Sequence, residues 1–248
     1  MNYDHWIAHF EINRRHRREP AWETAFTATE GKRAALARSL AEYQLGDGGG
    51  ECKLIAHDAE SVRGSHEKAA RVVDLWFLEE KEHSRLLTHA VNRVRGTFLE
   101  TTFAFRLFCR VRRWFGVQFE MLVLLIVEIV SVAYYRVIQA HCDDQPIADM
   151  CGLILRDELG HITFHRDRLG HGGESWREDW WRTCFHILGH SCATFLWLSH
   201  GGCLRELGGT RTEFFAHVRH GLAAFLQTID EIYPLGESLP ASAAATAR

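Results

Sequence analysis

The chain has 248 residues, 46% apolar and 25% charged, which is enough for one large domain with its own core and excludes a disordered polymer. Its formal net charge of −3 gives no reason to expect nucleic acid or an anionic membrane as the main partner. The seven cysteines are scattered, odd in number and without a Cys-x-x-Cys, and the amino terminus has no apolar signal segment, so a reducing, cytoplasmic setting is expected.

Residues 1–20 are polar and basic, with the cluster Arg14-Arg15-His16-Arg17-Arg18, and no fixed structure is expected there. That cluster and Arg110 to Arg113 read as solvated or ion-pairing faces. Residues 21–45 are rich in Ala, Arg, Leu and Glu and predict a helix that stops at Gly46-Asp47-Gly48-Gly49-Gly50. A short helix over 51–62 is followed by a break at Gly64-Ser65 and a long helix over 66–94, whose apolar residues recur at helical spacing. Residues 97–115 are aromatic and amphipathic, and predict a partly helical crossover. The run from Val117 to Cys142 predicts a helix that is apolar from Met121 to Ala133 except for Glu128 and Ser131. It is nearly long enough to span a membrane, but Glu120, Glu128 and Arg136 interrupt it, so a buried core helix is the reading. Asp143-Asp144-Gln145-Pro146 turns the chain into a helix over 147–169. Helices over 175–199 and 210–233 complete an all-α chain. One helical domain is expected over 1–234, with its bundle core at about 50–169 and a disordered tail at 235–248.

Glu128 would be buried, and a buried unpaired carboxylate must be neutralised, paired or bound to a metal. Two Glu-x-x-His pairs, Glu80/His83 and Glu158/His161, flank it in sequence, and on a helix each pair puts carboxylate and imidazole on one face. A lone Glu between two such pairs is the donor set of a di-iron carboxylate helix bundle. The spacing repeats: Glu128 to Glu158 is 30 residues, and 29 residues before Glu80 stands Glu51, with Asp47 as its competitor. The longer step of 48 residues from Glu80 to Glu128 leaves room for a crossover.

The order Glu, Glu-x-x-His, Glu, Glu-x-x-His over roughly residues 44–169 resembles the ferritin-like di-iron superfamily, which includes bacterioferritin, the ribonucleotide reductase small subunit and the p-aminobenzoate N-oxygenases. Gln44-Leu45-Gly46 is similar to a group of bacterial ferritin-like proteins of unassigned function. The resemblance implies a four-helix bundle with a long crossover and additional N- and C-terminal helices. It implies two iron ions, or manganese, held by Glu51, Glu80, His83, Glu128, Glu158 and His161. It also implies that Glu79 and Asp157 accept hydrogen bonds from the histidines of the partner helix. Tyr135 lies seven residues after Glu128 on the same face, where it is a candidate for redox or proton-donating chemistry beside Glu128, with core packing as the plainer reading. His165, four after His161, is a candidate further ligand, although the extra histidine of the N-oxygenases precedes the motif, where this chain has Ile154. His186 and His190 form an i, i+4 pair that more simply packs beside Trp180, Trp181 and Trp197.

Storage cages of the superfamily use little more than the bundle. Here about 75 residues follow it, with Trp176, Trp180, Trp181 and Trp197 as material for a pocket. The expectation is an oxygen-activating oxidoreductase that hydroxylates, N-oxidises or desaturates a small organic substrate, with a ferroxidase or iron-handling protein as the alternative. Its partners would be dioxygen, the substrate and an electron donor, with no nucleic acid and no membrane; a homodimer is allowed for.

Overall fold

A computed structural model describes residues 1–47, 59–64, 66–171 and 179–232, and among these every regular element is an α-helix. They are α1 (Tyr3–Arg15), α2 (Glu30–Asp47), α3 (Glu60–Arg63), α4 (Glu67–Arg93), α5 (Phe103–Arg112), α6 (Val117–His141), α7 (Gln145–His171), α8 (Asp179–Leu207) and α9 (Arg211–Ile232). Glu51 and the tail from 235 lie outside the described residues.

α6 is the centre. It carries Leu125, Ile126, Ile129, Val130, Ala133, Tyr134, Val137 and Ile138 in the core, and α7, α8 and α9 all pack on it. It is the one helix, among the described residues, long and apolar enough to cross a membrane, but 72% of its most apolar window is buried inside the protein. Other helices therefore already cover the surface that would otherwise seek lipid. α7 folds back along α6, α2 lies along α4, and α4 meets α7; α8 covers α2 and α6 from outside.

A buried ion pair ties the two hairpins together at one end. Arg93, at the end of α4, donates to Asp144 at 2.7 and 2.8 Å and to the carbonyls of Trp22, Thr24 and Ala25. Asp144 in turn accepts from the Ile147 and Thr27 backbone amides at the head of α7 and in the N-terminal loop. This loop is why α2 begins at Glu30 and not at residue 21: the backbone of 22–25 serves Arg93 instead of a helical ladder.

Two further corrections follow from packing. Residues 1–20 are not unstructured. Asn2 caps α1 by accepting from the His5 amide, and Trp6 and Phe10, four apart on one face, bury against Val72, Leu75, Trp76 and Phe164. Burying Phe10 alone contributes about 1.5–3 kcal/mol. α8 continues past Ser199 to Leu207 through Gly201, where an added Cβ would lie 2.8 Å from the Trp197 ring. That glycine is a close-packing residue and not a helix stop.

Candidate metal centre

The residues of the two Glu-x-x-His pairs meet across the α4–α7 contact. His83 on α4 turns its Nε2–H to Asp157 Oδ2 at 3.2 Å, and His161 on α7 turns its Nε2–H to Glu79 Oε2 at 3.0 Å. Each outer carboxylate thus serves the histidine of the opposite helix. The arrangement leaves both Nδ1 atoms facing inward. His83 Nδ1 lies 3.6 Å from both Glu80 and Glu158, and His161 Nδ1 lies 3.0 Å from Glu80 and 3.7 Å from Glu158. Neither Nδ1 makes a hydrogen bond of acceptable geometry, and Glu128 Oε2 and Glu158 Oε2 are likewise buried without a partner. Glu80, Glu128 and His161 each offer a donor atom within 4.8 Å of one another.

The helices dictate this. In α4 the buried stripe runs Val72, Val73, Leu75, Trp76, Glu79, His83, Leu86, Leu87 and Ala90, so the acid and imidazole sit on the face that elsewhere carries apolar side chains. Glu82 points away and pairs with Arg85 at 2.7 Å. In α6, Glu128 sits one turn before Val132 and two turns before Tyr135 on the inward face.

Burial raises the Glu128 carboxyl to about 8, against the pull of His161 and His83, and it also raises Glu158. Burial opposes ionisation of Glu80 as well, but His161 and His83 outweigh it and hold that carboxyl below its ordinary range. Burial disfavours the His83 imidazolium, yet the hydrogen bond to Asp157 and the charge of Glu80 overcome this and bring it up to about 10. His161 rises for the same reasons, with Glu80 as its strongest support. In the metal-free protein, then, protons balance the carboxylates. They are the protons that dications would displace, because a ligating imidazole must be neutral and a ligating carboxylate ionised.

Asp47, at the end of α2, joins the cluster. Its Oδ2 is buried without a partner, and burial, with Glu80 next, pushes its carboxyl well above the usual range. The first-helix position for which Glu51 and Asp47 compete is therefore reached by Asp47 within the described residues. His165 lies 3.2 Å from Glu128 Oε1, and burial, reinforced by Arg168, holds it neutral. Tyr135 is fully buried, its hydroxyl without a partner and its ring against Tyr43 and Tyr134. His186 and His190 face each other on α8, away from the cluster, and belong to no group of three donors among the described residues.

Three participants carry no pattern that the spacing argument detects. Arg17, from the basic cluster after α1, reaches Asp157 at 2.6 Å and Glu79 at 3.3 Å with almost no exposed surface, so it neutralises the two acceptors that orient the histidines. Trp76 donates from Nε1 to Glu80 Oε1 at 3.1 Å; its place four residues before Glu80, on the same face, was the available signal. Tyr43, stacked on Tyr134 at 3.9 Å, has no such signal.

No family model, curated protein or solved structure matches the chain. The site's own chemistry therefore carries the functional argument. Three carboxylates (Asp47, Glu128, Glu158) and two imidazoles with unpartnered buried donor atoms, beside Glu80, suit hard or borderline divalent ions such as iron or manganese.

Proposed function

We propose that the chain is a ferritin-like four-helix bundle of α2, α4, α6 and α7 that holds two iron ions, with manganese as the other candidate, and acts as an oxygen-activating oxidoreductase on a small organic substrate. The observation that carries the reading is the inward pair of imidazole Nδ1 atoms, left without hydrogen bonds while each Nε2 is fixed by a carboxylate of the opposite helix. In a core with no metal function these atoms would be buried at a cost, with nothing gained.

In this reading Glu80 and His83 with Glu158, His161 and Glu128 would hold the ions, and Asp47 or Glu51 would complete the set. Bound iron supplies the redox chemistry for dioxygen. The chain supplies the rest. Glu79 and Asp157 fix the imidazole tautomers. Arg17 balances the charge of those acceptors and holds them in place. His165 holds or releases a proton at Glu128 Oε1. The aromatic wall of Trp76, Phe10 and Phe164 keeps water from one side. Tyr135 stands ready as a proton or electron donor from the opposite side. Electrons would come from a separate donor protein.

The test is elemental analysis after expression with iron or manganese, followed by reaction of the reduced protein with dioxygen. Two metal ions per chain, oxygen uptake in proportion to protein and a small oligomer support the proposal. Absence of iron, manganese and zinc after reconstitution would overturn it. A many-subunit particle loaded well beyond two irons per chain would assign the iron-handling role instead.

A further inference from the structure

The segment from Thr101 to Phe119 contains no Asp or Glu and carries Arg106, Arg110, Arg112 and Arg113 among six aromatic side chains and Leu107, Val111 and Val117. α5 has two distinct faces. Thr102 caps it by accepting from the Phe105 amide at 3.0 Å. Its inner face is Phe105, Phe108, Cys109 and Arg112; Arg112 lies 3.2 Å from Glu120 of α6, with both side chains buried, and that pair pins the helix to the body. At 100° per residue, Phe103, Leu107, Arg110 and, in the following turn, Trp114 fall on one outward stripe. Phe103 is 76% exposed, Trp114 61% and Phe115 71%, while Arg106, Arg110 and Arg113 are exposed beside them.

This stripe exposes Phe103 at one end of α5 and Trp114 and Phe115 at the other, with Leu107, 43% exposed, between them, and so leaves apolar surface that isolated exposures do not explain. The charge around them selects the occupant. A second copy of this chain docking face to face would oppose arginine to arginine, which disfavours self-pairing. An arginine-rich amphipathic helix with Trp and Phe on its outer side matches the headgroup boundary of an anionic bilayer, where the rings sit at the acyl edge and the guanidinium groups meet phosphate. The whole-chain charge of −3 does not set the charge of this face.

We propose that α5 and the turn after it, Phe103 to Phe115, form a peripheral docking surface for anionic phospholipid, with Phe103, Trp114 and Phe115 entering the interface and Arg106, Arg110 and Arg113 contacting the headgroups. α6 stays inside the protein, so the attachment lies on the bilayer and does not span it. The inference is independent of the metals, because none of these residues touches the α4–α7 cluster.

Co-sedimentation of the full chain with phosphatidylcholine vesicles, and with vesicles of equal parts phosphatidylcholine and phosphatidylglycerol, tests it. Binding to the mixed vesicles alone, weakened by salt, is expected. Each Arg→Gln change at 106, 110 or 113 should lower the partition about fivefold, and the triple variant on the order of a hundredfold. Phe103→Ser with Phe115→Ser should abolish binding without changing the circular dichroism spectrum. Leu198→Ser, which removes an exposed apolar side chain of α8, should leave binding intact. No sedimentation with either vesicle, equal binding to both, or loss in Leu198→Ser as great as in the α5 variants would overturn the proposal. So would a concentration-dependent dimer that the Phe103/Phe115 variant dissociates.

Discussion

Arg17 offers the sharpest probe of how the centre is held. Its guanidinium lies between Asp157 and Glu79, whose side chains are almost wholly buried, at 2.6 and 3.3 Å. Arg17→Met keeps the apolar stem and removes the charge. Breaking a buried pair from one side costs about 3–5 kcal/mol, since the remaining carboxylates keep their desolvation without compensation. Arg156 still reaches Asp157 at 2.9 Å from a half-exposed position, and each carboxylate keeps its histidine, so the lower end applies: about 3 kcal/mol. For a chain of this size that lowers the melting temperature by about 6–12 °C. The second effect is on the site. With Asp157 and Glu79 no longer held in place by the guanidinium, the imidazoles lose their orientation, and metal affinity should fall about 10–100-fold. Thermal denaturation of the metal-free protein and competitive titration with a chelator measure the two separately. Arg17→Lys, a point charge without the fork, should recover part of each. A melting temperature within about 2 °C of the parent, together with unchanged metal affinity, would refute the reasoning that Arg17 acts through these two carboxylates.

Glu128→Ala should remove metal from one or both positions, whereas Glu82→Ala, which strips a partner of Arg85 on the outward face, should leave metal content unchanged; equal losses by elemental analysis would mean that the assigned face is wrong. Chelation should lower the melting temperature, because the emptied cluster must take up protons to keep its carboxylates together; a melting curve indifferent to chelator counts against a buried site. Burial, with Arg38 nearby, pulls His200 down to about 4 in the folded chain against about 6.5 unfolded. The unfolded state therefore binds the proton first, so stability present above pH 6.5 is lost as pH falls towards 4, on the order of 3 kcal/mol from this group. Replacing His200 by Gln should flatten that part of the pH–stability curve, and an identical slope in the variant would exclude the assignment.

The helices were legible where periodicity and composition agreed. α4 and α6 combine long stripes with clear ends at Val94 and Cys142, α7 has a clear start after Asp144, and their buried Glu and His residues stand out because polar residues break an apolar face. α1 was hidden by its own surface: only Trp6 and Phe10 face inward, and the arginines after them dominate the text. α8 runs eight residues past the expected end at Ser199, because Gly201 packs against the ring of Trp197, four residues earlier in the same helix. In the site, local spacing found the Glu-x-x-His pairs because each pair is made within one helix. Arg17 was not found, since its partners lie 62 and 140 positions away and nothing local marks it. Between Asp47 and Glu51 the spacing favours the glutamate, which lies outside the described residues, while Asp47 is described beside Glu80.

The docking of α1 has a consequence for the order in which the molecule is made. Trp6 donates to Asp167, 161 positions later, and Phe10 packs on Phe164, so α1 has no complete seat until α7 has been made. At translation rates of about 5–20 residues per second, that interval is on the order of 10–30 s. Through it Arg17 lacks Asp157, and Glu158 and His161 are still to be made. Chains stalled before Phe164 should be cut by trypsin within Arg14 to Arg18, and chains stalled well beyond His171 should resist; equal cutting would reject this order. Closure of the N-terminal segment over α4 and α7 is thus expected only after most of the chain has been made.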